Sequence, residues 1–141
     1  MSVDATLIVS FGPNHPLSCA IESLLRSDWR GNGRWDGIPL GNAPADWAPL
    51  ATSIEEVLEV FQKKRAALEM FGIRVFWRDS DIGCDVLANP EDHKLVIAPM
   101  INRVKATERI TDVSWYVTRL LPVFDADGRS NVESWSWTET A

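Results

Sequence analysis

Residues 73–98, IRVFWRDSDIGCDVLANPEDHKLVIA, decide the fold. Ile73, Val75 and Trp77 alternate with Arg74, Phe76 and Arg78, the period of two that sends successive side chains to opposite faces of a strand. Asp79-Ser-Asp-Ile-Gly83 and Asn89-Pro-Glu-Asp92 are clusters of turn formers. They separate this strand from two further apolar runs, Cys84–Leu87 and Lys94–Ala98. Connections this short have no room for a crossover helix, so the three strands are expected to form an antiparallel meander.

Upstream, Ser53-Ile-Glu-Glu56 has the capping-box spacing, in which Ser and Glu satisfy each other's free N–H groups at a helix start. Ile54, Val57, Leu58, Phe61 and Leu68 follow with helical period, and Lys63, Lys64 and Arg65 suit the negative end of the dipole. The spacing predicts a helix over 54–71 with Gly72 as its C-terminal cap. Near the start of the chain, ATLIVSF (5–11) reads as a central strand, broken by Gly12-Pro13-Asn14. Pro16 fits a first helical turn, and Leu17, Ile21, Leu24 and Leu25 share a face, predicting a helix over 16–28 that stops before Gly31. Residues 31–52 hold four Gly and three Pro, so beyond a short strand near Arg34–Ile38 they are expected to be irregular.

Downstream, 99–110 is polar and carries no periodic signal. Thr111 or Asp112 can cap a third helix along the stripe Val113, Tyr116, Val117, Leu120, Leu121 and Phe124, with Pro122 ending or kinking it. A competing reading makes 113–124 a strand leading into a hairpin at Asp125-Ala-Asp127-Gly128; the helix is preferred. Val132, Ser134 and Ser136 alternate with Glu133, Trp135 and Trp137 in a final strand, followed by a tail over Thr138–Ala141. The predicted fold is α+β: a mostly antiparallel sheet with two or three helices packed on it, in the order β-α-loop-α-β-β-β-α-β, as one globular domain over 1–141.

Composition narrows the function classes. The chain has 45% hydrophobic residues and two cysteines, Cys19 and Cys84, without the paired framework of a secreted domain, so a cytoplasmic location is expected. The opening MSVDATLIVSFG lacks a basic n-region and a cleavage pattern, and its apolar run is too short for a bilayer. A net charge of −6 disfavours nucleic acid, whose phosphates demand Lys and Arg, and favours a basic partner. Arg103, Lys105 and Arg109 are read as a solvated cluster.

No residue pattern specifies chemistry. Gly-x-Gly-x-x-Gly, Walker and Gly-x-Ser-x-Gly signatures are absent, so no nucleotide cofactor or serine nucleophile is expected. Asp79, Asp81 and Asp85, and Asp125 and Asp127, miss the register of a calcium loop and are read as turn residues. His15 and Cys19 sit one helical turn apart, but a zinc site would need Cys84 and His93 from afar, and no metal is expected. Cys84, Asp85 and His93 form, on paper, a nucleophile, an orienting acid and a base. An alternative reading therefore makes the chain a small hydrolase or transferase with His15, Cys84 and His93 in a cleft under 31–52. A third reading is a structural or adaptor subunit whose final strand pairs with a neighbour through Trp135 and Trp137.

The seven Trp weigh toward binding, because Trp anchors interfaces when it is not consumed by the core. Small size, one domain, acidity and abundant Trp together resemble the immunity proteins of bacterial toxin competition systems; the likeness is one of general build, with no motif to transfer. It implies a cytoplasmic inhibitor that covers the active site of a partner toxin or enzyme, with no cofactor, nucleic acid or membrane involved. The expected contact residues, chosen by loop position and charge, are Trp35, Trp47, Asp79, Asp81, Glu91 and Asp92.

Overall fold

The computed structural model describes residues 4–41, 46–126 and 129–140, with the side chains of 126, 129 and 130 left aside. The chain order is β1 (Asp4–Phe11), α1 (Leu17–Leu25), β2 (Trp29–Arg30), β3 (Trp35–Gly37), β4 (Ala48–Ala51), α2 (Ile54–Ala66), β5 (Phe71–Trp77), β6 (Gly83–Ala88) and β7 (Lys94–Ile101). Then come α3 (Val113–Leu120), a 3-10 turn (Leu121–Phe124), the short β8 (Asp125–Ala126) and β9 (Arg129–Ser130), and β10 (Val132–Thr140).

The meander β5-β6-β7 is the middle of an eight-stranded antiparallel sheet ordered β10-β1-β7-β6-β5-β3-β4, with β2 paired to β5. Register puts Ile73 opposite Val86, Val75 opposite Cys84, and Val86 opposite Ile97. Facing residues share a side of the sheet, and these side chains are fully buried beneath the helices. β1 extends the same buried row, with Leu7 opposite Ile97 and Val9 opposite Leu95. The other face stays open. Ile8, Val96 and Leu87 form a half-exposed cross-strand row there. The α+β architecture with three helices against an antiparallel sheet is thus the one the sequence predicts.

Several boundaries differ from the expectation. The second helix ends at Ala66 and not at Gly72. Leu68 takes a left-handed φ of 57°, Glu69 N donates to Lys64 O (2.8 Å) and Leu68 N to Arg65 O (3.2 Å), a Schellman closure built on a leucine. Gly72 lies inside β5, where the backbone of Gly37 approaches its carbonyl and Ile38 N donates to it at 3.1 Å. A Cβ on Gly72 would sit 2.6 Å from Ile38 Cδ1, so the glycine serves sheet packing, not a cap. The stretch 31–52 is also more regular than expected, because 48–51 pairs with β3 at the sheet edge. There Pro49 costs no ladder bond on its solvent side.

Of the two readings of 113–124 the helix is the one observed and the strand is not, although the hairpin that the strand reading placed after it is present. Residues 113–120 are helical, capped by Asp112, whose carboxylate accepts from Trp115 N at 3.1 Å, and Pro122 converts the last turn to 3-10. The hairpin then follows, with 125–126 antiparallel to 129–130 around Asp127-Gly128, which lie outside the described residues. The final strand runs on to Thr140 in place of a tail from Thr138, since Thr138, Glu139 and Thr140 pair with Thr6, Ala5 and Asp4.

One end of the core is aromatic. Trp29 is fully buried, 5.2 Å from Trp77 and 6.3 Å from Trp115 between ring centres, and its Nε1 donates to Arg119 O at 3.0 Å. The Arg119 guanidinium stacks 4.3 Å from the Trp115 ring centre and 5.5 Å from that of Trp77. Tyr116 extends the cluster to Trp137, 5.9 Å away.

Candidate protein-binding surface

β10 is the outermost strand on its side, and among the described residues no strand pairs with its outer edge. From Ser134 to Thr140 its register with β1 is unbroken, and the irregularity lies at Glu133, which has no counterpart between Ser10 and Phe11. Trp135 and Trp137 face Val9 and Leu7 across the ladder and so lie on the helix-bearing side. Beyond α3 the helices no longer cover them fully. Trp137 is half-buried, its ring against Tyr116 and its Nε1 donating to Glu139 Oε1 at 3.1 Å. Trp135 is 47% exposed.

Two depressions flank this pair. One, of about 380 Å³, is formed by Val117, Leu121, Pro122, Val132 and Trp135, with Asp125 and Glu133 at its rim. The other, of about 490 Å³, is walled by Ile110, Val113 and Trp137, with Arg109 and Glu139 beside them. Ile110 is 54% exposed. Glu139 is also the tether of the 105–111 loop, accepting from Thr111 N at 2.9 Å. Burial pushes its carboxyl up, but the bonds from Thr111 and Trp137 and the positive charge of Arg103 outweigh this and hold it below its ordinary range.

The residues named from the sequence are dispersed. Trp35 is 7% exposed, its indole resting on Gly31, where a Cβ would lie 2.6 Å from Trp35 Cδ2. It is a core residue that offers a partner little surface, which corrects its choice as a principal contact. Trp47 is half-buried over Arg74, whose guanidinium is 5.1 Å from its ring centre; Arg74 donates to Asp85 at 2.7 and 3.2 Å on the open sheet face. Asp79 and Asp81 are exposed on the β5–β6 turn, Asp79 accepting from Arg30 at 3.3 Å. Glu91 and Asp92 occupy the β6–β7 turn, at the opposite end of β6, so the two acidic turns do not form one patch.

The residues of the enzyme reading do not converge either. Cys84 is fully buried toward the helices, and burial pushes its thiol far up. Asp85, next in the strand, points to the other face, so it cannot orient a base for Cys84. His93 is exposed in the β6–β7 turn, and His15 packs its ring 5.5 Å from Phe11. Among the described residues no three of His, Cys, Asp and Glu come together as metal ligands, and no helix is long and apolar enough to cross a membrane.

A third depression, about 580 Å³, lies between the end of α1 and α3 over Trp77, with Arg26, Arg30 and Arg119 on its walls. Arg26 pairs with Glu22 and Glu55, and Arg30 with Asp28 and Asp79, so most of its cationic charge is already answered.

Alternation along the final strand marks Trp135 and Trp137, whereas nothing in the sequence marks Ile110, Val117, Leu121 and Glu133 as surface. Val117 and Leu121 belong to the helical stripe, and only the packed helix reveals that this part of the stripe overhangs the sheet. Comparison with protein-family models, with curated proteins and with solved structures gives no match to this chain.

Proposed function

We propose that this protein works by binding another protein through the β10 edge, as an inhibitor of the immunity type that occupies a partner toxin or enzyme in the cytoplasm. The observation that carries the reading is Trp135, half-exposed on a strand whose outer edge pairs with none of the described strands, between two largely apolar depressions. Trp in such a setting is the residue type that most often dominates binding energy, because its burial removes a large apolar area from water at little entropic cost. The net charge of −6 supports a basic partner by steering encounter. Glu91 and Asp92, on the turn whose His93 accepts from Phe11 N, remain candidate rim contacts, where single charges tune on-rate more than affinity; Trp47, beside the opposite sheet edge, and Asp79 and Asp81, at the other end of β6, lie outside an interface centred on β10. The adaptor reading uses the same strand and differs in outcome: an adaptor joins its partner without silencing it.

The test is recovery of a complex from the native host with the tagged wild-type chain, Trp135→Asp, and the triple variant His15→Ala/Cys84→Ala/His93→Ala. The expected result is a complex retained by the triple variant and lost with Trp135→Asp, together with suppression of the partner's activity on mixing. A complex indifferent to Trp135 but abolished by the triple variant, with both proteins folded by circular dichroism, overturns the reading.

A further inference from the structure

We infer that the partner completes β10 with an extended segment of its own, added as a further strand, that carries apolar side chains toward the helix-bearing face and a Lys or Arg beside Glu133 and Asp125. The inference rests on the protein-binding reading and adds the form and chemistry of what binds. The two edges of the sheet contrast. On one, β4 is four residues long and contains Pro49, both devices that keep a sheet from recruiting strands. On the other, β10 is nine residues long and carries no Pro, Gly, Lys or Arg. Its pairing with β1 is regular from Ser134 onward. Along Ser134–Thr140 the outward row of N–H and C=O groups is a template for main-chain pairing.

Side-chain geometry adds the second element. Successive same-face residues on an added strand lie roughly 7 Å apart. The depressions on either side of Trp135 and Trp137 would then receive apolar residues from one face of that strand. Charge adds the third. Glu133 and Asp125 line one depression, and among the described side chains neither forms an ion pair, whereas Glu139 at the other end is engaged with Thr111 and Trp137. A cation in the partner strand answers those two carboxylates. A second copy of this chain does not: antiparallel self-pairing centred on Ser136 sets Glu133 against Glu139 twice, and centring on Trp135 leaves Glu133 opposite Trp137.

The probes are four nine-residue peptides added to the full chain. The first is Lys-Thr-Ile-Thr-Val-Thr-Ile-Thr-Lys, with Lys, Ile and Val on one face; the second has Glu for both Lys; the third and fourth are the first peptide N-methylated on alternate residues in the two possible phases. The expected result is that the Lys peptide slows amide exchange at alternate β10 positions, the Glu peptide does so at least several-fold more weakly, and one N-methylation phase abolishes the effect while the other does not. Glu133→Gln/Asp125→Asn should weaken the Lys peptide about five-fold. Unchanged β10 exchange at millimolar Lys peptide, or equal binding of both methylated phases, overturns the inference. So does a concentration-dependent dimer with β10 amides already protected, which would make a second copy the occupant. If the native complex forms and depends on Trp135 while β10 amides exchange as in the free chain, strand addition fails and the protein-binding reading stands; if no complex forms, that reading itself fails.

Discussion

Leu68 holds a backbone conformation, φ 57°, that an L side chain adopts at a cost and glycine adopts freely. Its side chain is 67% exposed, so removing it sacrifices little packing. Leu68→Gly is expected to raise stability by about 1 kcal/mol, read from the urea midpoint; a lower midpoint would mean the side chain packs more than its exposure implies. The same position explains why the sequence misplaced the end of α2. Gly72 is the natural cap by residue type, yet it is needed where Ile38 and Gly37 crowd β5, and the turn falls instead on a leucine that no propensity would choose. The cysteines separate by burial in the same local way. Cys19 is exposed, while Cys84 is enclosed with its thiol pushed up, so the thiolate that reacts is almost absent at neutral pH. Ellman's reagent should titrate one thiol in the native protein and two in denaturant; two fast native thiols would place Cys84 at the surface.

Among the elements, β10 does two jobs: it covers β1 and, through Glu139, fixes the loop that leads into α3. The folded carboxyl of Glu139 titrates below its unfolded value, so its stabilisation is complete above the unfolded pKa and disappears as pH falls through the lower folded value. Urea midpoints should therefore drop between neutral pH and about pH 3 by less in Glu139→Gln than in the wild type; equal drops would show that the Thr111 tether contributes no pH dependence. How far such elements are legible follows from where their order originates. The meander and the cap of α2 carry local signals, alternation and a Ser-x-x-Glu pattern, and both appear at the expected places. Strands β4 and 138–140 have no apolar period, Pro interrupting one and Thr-Glu-Thr composing the other, and they are strands because β3 and β1 offer them ladders. For the binding surface, the alternation of Trp135 and Trp137 was readable, whereas the overhang of α3 that leaves Trp135 half-bare depends on packing alone.

At the scale of the whole molecule, β1 lies between β7 and β10, so two strands from the far side of the sequence enclose it. Leu7 and Val9 point into the core from that position, and β10 satisfies the backbone groups on one of their sides. Ending the chain after Asn131 should remove the cooperative thermal transition followed by far-UV circular dichroism; a sigmoidal melt in the shortened chain would make β10 an appendage. The enclosure of β1 also has a bearing on biosynthesis. During synthesis β1 is made and then waits, from Phe11 to Val132, before its mate on one flank begins to appear. Until the β10 residues have been added and have emerged from the ribosome, an apolar ribbon waits with an open side, and that interval is when a chaperone would find it.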